Sequence, residues 1–169
     1  MIKFFVPGIA KPGGSKKAFF NPKTGRAIVV DACKGNKDWR SAVSSCAYEV
    51  MQGRELIHDP IEVTFEFHMP RPKGHFGSKG IRKSAPVFPA TRPDVLKLAR
   101  SVEDSLTGLV YADDSQIVTE TLRKVYAEKM AGVWITIRSI ESENYSENIT
   151  EDKSCPNSVT NRQQTLSLS

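Results

Sequence analysis

Residues 61–69 read IEVTFEFHM. Ile61, Val63, Phe65 and Phe67 alternate with Glu62, Thr64, Glu66 and His68. A period of two places one row of side chains on a core and the other towards water, so this is a half-buried strand. The segments on either side of it decide the class.

Upstream, IKFFV (2–6) reads as a first strand, followed by a Gly/Pro loop over 7–17 that carries Lys11, Lys16 and Lys17. AFFNPKTGRAIVV (18–30) reads as a hairpin, two β-prone runs around Asn-Pro-Lys-Thr-Gly. From Asp38 the period lengthens. Trp39, Ala42, Val43, Cys46, Ala47, Val50 and Met51 fall on one face of a helix that ends near Gly53.

Downstream, residues 70–92 hold seven basic residues (His75 included), three glycines and four prolines. A structureless loop of that length within a small domain is expected to be functional or mobile. A second helix follows from Asp94. Its apolar stripe is Val95, Leu98, Ala99, Val102 and Leu106, while Lys97, Arg100, Ser101 and Asp104 look outward. Asp94 suits the N-cap and Gly108 the stop. SQIVTETLRKVYA and GVWITIRS add two strands. The class expected is α+β: one domain over residues 1–138, a small mixed β-sheet with two main helices. Residues 139–169 are polar and poor in core formers, and are expected to form a disordered tail.

Formal charge is +5. Residues 139–169 contain two basic residues (Lys153, Arg162) and five acidic ones (Glu141, Glu143, Glu147, Glu151, Asp152), hence −3, which leaves +8 on the body. So basic a body points to a polyanionic partner, nucleic acid first. Three scattered cysteines (Cys33, Cys46, Cys155) form no C-x-x-C pair, which argues against a disulfide framework or a zinc site. MIKFFVPG is not a signal peptide, and no apolar run approaches the ~20 residues of a membrane span. A cytoplasmic protein is expected.

Against that charge, residues 90–115 concentrate Asp94, Glu103, Asp104, Asp113 and Asp114. Carboxylates in a positive field make sense if they hold Mg²⁺ against a phosphodiester. At a rise of ~1.5 Å per residue, Glu103 and Asp104 lie too far along the helix to share an ion with Asp94. Asp113 and Asp114 follow a turn, and a strand running back beside the helix would bring one of them towards Asp94. Asp94 can equally be an N-cap alone, and "ADDS" only a polar turn.

"RPD", the helix ending "EDSLTG" and then "VYADDSQIV" resemble the RusA-type Holliday junction resolvases, nucleases of phages and prophages. The lead-in His68-Met69-Pro70 and the basic opening loop "VPGIAKPGGSKK" fit the same pattern, which covers residues 1 to about 138. The resemblance implies an α+β homodimer that uses Mg²⁺, with Mn²⁺ as a substitute, to nick four-way junctions symmetrically. It places Asp94 and Asp114 as catalytic aspartates, with Asp113 as a further metal ligand. Arg100 stands where the family has a lysine, Leu96 at a family aspartate and Lys97 at a family asparagine. Glu66 or His68 are open as substitutes for the missing acid. The expected DNA contacts are Lys11, Lys16, Lys17, Arg71, Lys73, Arg82, Lys83, Arg92 and Lys97. Phe76 and Phe88 are expected to anchor their loop. The alternative is a non-catalytic protein that binds branched DNA, with a metal site weakened by Leu96.

Overall fold

The computed structural model describes residues 1–140 apart from Ser15 and Ala32. From residue 141 on, the tail expected to be disordered lies outside the described residues. In chain order the elements are β1 (Ile2–Pro7), β2 (Lys16–Asn21), β3 (Arg26–Asp31), α1 (Asn36–Met51), β4 (Ile61–Met69), β5 (Phe76–Gly77), β6 (Gly80–Ile81), α2 (Val95–Leu106), β7 (Ile117–Tyr126) and β8 (Gly132–Ser139). The architecture is α+β, a mixed sheet with two helices, as the periodicities imply.

Four strands form the main sheet in the order β1-β8-β4-β7. β8 pairs antiparallel with both β1 and β4, while β7 runs parallel to β4. The alternation that marks β4 is realised along its whole length, with Ile61, Val63, Phe65 and Phe67 fully buried. Each such side chain contributes about 1.5–3 kcal/mol when removed from water. They join Val43, Ala47, Leu98, Val102, Val133 and Ile135 in one core, so both helices cover the same face of the sheet. Glu62, Thr64, Glu66 and His68 therefore lie on the other face. There Glu66 binds His68 at 2.8 Å and Arg123 at 3.1 Å. That placement removes Glu66 and His68 as substitutes near Asp94, which starts a helix on the covered face.

β2 and β3 form a separate two-stranded hairpin, closed by Asn21, which accepts from the backbone of Lys23, Thr24 and Gly25. The 70–92 segment is less loose than its composition implies. It holds a 3-10 turn over 73–75 and the short β5–β6 hairpin. Arg71 donates to the Pro86 carbonyl and Arg82 to the Phe76 carbonyl. Phe76 and Phe88, expected as anchors, are instead 45% and 60% exposed.

Gly132 opens β8 beside Pro7 and His68. A methyl group there would collide with the Val6 carbonyl, fixed by the β1–β8 ladder, and with the Phe5 ring, which packs on Trp134. Gly132→Ala is expected to destabilise by about 2–3 kcal/mol, within the range for overpacking, with an unchanged denaturant slope in a urea melt.

Candidate functional site

Asp94 occupies the N-cap position of α2, yet its side chain makes no capping hydrogen bond. The carboxylate is exposed and, among the described residues, pairs only with Lys97, at 3.4 Å. A cleft of about 710 Å³ opens beside it, with Lys11, Arg92, Lys97 and Lys124 on its walls. Lys124 comes from β7. Its ammonium donates to the carbonyls of Thr91 and Pro93, each at 2.8 Å, and so straps the approach to Asp94 onto the sheet.

That strap also fixes the direction of β7. Its far end, at Lys124, lies against the start of α2, so its beginning lies near the end of α2. The parallel register puts Glu120, Leu122 and Lys124 opposite Val63, Phe65 and Phe67, on the face that α2 covers. Glu120 thereby meets Glu103, and the two carboxyl groups share a hydrogen bond. Burial, that bond with Glu120, and the charges of Glu120, Asp104 and Asp114 push the Glu103 carboxyl up to about 8. The Glu103 carbonyl accepts from Thr107 N, Thr107 Oγ1 and the buried Tyr111 hydroxyl, which fixes this turn of the helix.

The carboxylates thus gather at the carboxyl-terminal end of α2, not around Asp94. α2 is 12 residues long, about 18 Å. The chain does reverse after the helix, but Asp113 and Asp114 precede the returning strand and stay at its starting end. The expected set Asp94, Asp113 and Asp114 is therefore not assembled. Among the described residues, no three Asp, Glu, His or Cys side chains are spaced to hold one ion.

The aspartates also differ in employment. Asp113 caps the turn over 114–116: its Oδ1 accepts from Ser115 N at 2.9 Å, and Gln116 Oε1 accepts from Asp113 N at 2.8 Å. The bonds from Ser115 hold its carboxyl below the usual aspartate range. Asp104 is bound by Arg40 of α1, through its side chain at 3.6 Å and its carbonyl at 3.0 Å. Asp114 is exposed and close enough to raise Glu103.

Leu96, Arg100 and Glu103 are spaced i, i+4 and i+7, hence share one face of α2. Leu96 is 68% exposed. Where the motif has an acid at 96, this chain carries one two turns further along the same face.

Of the expected DNA contacts, Lys11, Arg92 and Lys97 line the cleft, and Lys73 and Lys83 are exposed on the 70–92 segment. Arg71 and Arg82 are engaged by that segment's own backbone, and the Arg71 guanidinium lies 3.9 Å from the Tyr126 ring centre. Lys16 and Lys17 open β2, and their side chains lie outside the described residues.

One buried residue carries no signal of its own in the sequence. Asn36 donates to the Pro12 carbonyl at 3.0 Å and to Ser101 Oγ at 2.9 Å, with the Lys11 carbonyl at 3.4 Å. Ser101, expected to face outward, is fully buried to receive it. Gly13 N donates to the Lys97 carbonyl at 2.7 Å, so the Lys11 loop lies directly on α2. Asn36→Ala leaves Ser101 and Pro12 unpaired, a loss of about 1–3 kcal/mol. Amide exchange is expected to rise across residues 8–14 and to stay unchanged in β4.

The model of the endodeoxyribonuclease RusA family matches residues 10–138. The chain belongs to that family. It is also 32% identical over 144 residues to a Bacillus subtilis (strain 168) protein named uncharacterized protein YqaN, covering 83% of this chain and 98% of that one. Membership in the RusA family makes endonucleolytic cleavage of DNA the frame in which the two ends of α2 have to be understood. No helix among the described residues is long and apolar enough to cross a membrane.

Proposed function

We propose that this RusA-family chain is a Mg²⁺-dependent endonuclease that resolves four-way DNA junctions as a homodimer in the cytoplasm. The observation that carries the reading is the pairing of Glu103 with Glu120 on a basic body. Two carboxylates in contact repel each other and retain a proton near pH 8, which is the arrangement a divalent cation relieves.

Mg²⁺ is held by one or two carboxylates, with substrate phosphates and waters completing its shell. An all-oxygen pair fits that demand without a third protein ligand. Glu103 and Glu120 would hold the ion, with Asp114 beside them; when bound, it activates water and stabilises the departing oxygen. Mn²⁺ takes the same oxygen donors and serves as a substitute. Asp94 acts at the other end, in the cleft. Arg100 stays protonated, so it neutralises a phosphate rather than transferring a proton. Lys11, Arg92 and Lys97 position the backbone without reading sequence. Two copies related by a two-fold axis match the two-fold symmetry of a junction.

A synthetic four-way junction incubated with Mg²⁺ tests this. Paired, symmetric nicks are expected, absent in EDTA and absent on linear duplex. Tight, salt-sensitive binding without nicks in Mg²⁺ or Mn²⁺ sinks the nuclease reading and leaves the binding-only alternative.

A further inference from the structure

We propose that the cleft at the amino-terminal end of α2 takes a single unpaired nucleotide of the DNA. This rests on the DNA-cleaving reading above and adds a substrate subsite to it. At about 710 Å³ the cleft lies in the size range of small-molecule sites. It is concave and bounded by chain on several sides, with residues from the opening loop, the end of β4, the 89–93 segment, α2 and β7. A duplex lies across such an opening; one nucleotide enters it.

The lining has the two halves a nucleotide needs. Lys11, Arg92, Lys97 and Lys124 face one carboxylate, Asp94, so the cleft is positive despite the acid. Among the described residues neither Lys11 nor Arg92 makes an ion pair, and both are available to a phosphate. Lys124 gives two N–H donors to the Thr91 and Pro93 carbonyls and, as an ammonium, has a third to offer. The remaining wall is apolar, with Met69, Pro70, Pro72 and Pro89. Such a surface accepts the face or edge of any base without reading its hydrogen-bonding pattern.

Position gives the subsite its use. It lies about 13 Å along α2 from the Glu103–Glu120 pair, nine residues at ~1.5 Å each from Asp94, on the order of four nucleotide steps at 3.4 Å each. Base pairs flanking a branch point lack a continuous stack on one side, so a nucleotide is drawn out of its pair there at lower cost than in continuous duplex. A pocket that accepts one, set at a fixed distance from the carboxylates, would select branched DNA and set where the cut falls.

The experiment uses a four-way junction with 2-aminopurine placed at successive positions around the nick, bound in EDTA so that nothing is cut. Expected is a several-fold rise in fluorescence at one or two positions within about four nucleotides of the nick, and none elsewhere. Thr91→Trp and Ile9→Trp each put bulk into the cleft from exposed positions. Both are expected to abolish the rise while weakening junction binding by less than about threefold. Firm junction binding with flat fluorescence overturns the pocket alone, as does a rise that survives in both variants. Failure to bind junctions at all removes the DNA reading and the pocket together.

Discussion

Glu103→Gln is expected to lower junction cleavage by about 100-fold or more and, in the same protein without metal, to raise the melting temperature at pH 8 and above. The two effects have opposite signs for one reason. The Glu103 carboxylate sits half-buried against Glu120, with Asp104 and Asp114 close by. Neutralising it removes repulsion and desolvation cost from the metal-free fold. It also removes half of the Glu103–Glu120 carboxyl pair that this end of α2 would offer a cation. Preorganised charge of this kind accounts for roughly 10²–10³ in rate when removed. Glu120→Gln is expected to repeat both effects, whereas Asp104→Asn, which loses the Arg40 tie, is expected to destabilise and leave most activity. Steady-state cleavage and thermal melts of the three variants decide the matter. Retention of full activity in both Glu variants would rule the pair out as the proposed metal site.

Most of the fold is legible in the sequence because it follows from local periodicity. The alternation over 61–69 and the stripe Leu98, Ala99, Val102 and Leu106 need only a chain that buries apolar surface. The site is less legible because it depends on register between distant segments. Nothing in TETL marks Glu120 as the residue that meets α2: it is exposed on an edge strand, as are the equally polar Thr119 and Thr121. Its direction is set by the parallel pairing with Val63, after the register shift at Ile61 and Glu62.

Distance along α2 correctly separates Glu103 and Asp104 from Asp94, but that separation matters less than which residues the returning strand passes. β7 passes Glu103 first and reaches the Asp94 end only at Lys124. A strand that runs back carries its later residues to the helix start, and Asp113 and Asp114 are its antecedents. Basic residues in the 70–92 segment were equally ambiguous in sequence. Arg71 and Arg82 satisfy backbone carbonyls of a segment that lacks a long ladder of its own, a demand invisible until the chain is folded.

Acidity should control the stability of the metal-free protein in an unusual direction. Glu103 moves from 4.5 to about 8 on folding. A raised folded-state value means that the folded protein binds the proton more tightly than the unfolded chain. Its contribution is fully present below pH 4.5 and is lost as pH rises towards 8 and beyond. Taken at face value the difference would approach about 5 kcal/mol at 1.36 kcal/mol per pH unit. Glu103 is half exposed, so solvent screening reduces this to about 1–2 kcal/mol. For a chain of this size that is roughly 3–8 °C in melting temperature. Metal-free melts in low salt are expected to fall by that amount between pH 5 and pH 9, and Glu103→Gln to flatten the profile. Saturating Mg²⁺ is expected to restore the loss at pH 9 in the wild type and not in the variant, because a cation bound only by the folded state adds its binding free energy to stability. A wild-type profile that is flat in EDTA, or a Mg²⁺ effect equal in both proteins, would mean that Glu103 neither holds the proton nor holds the ion.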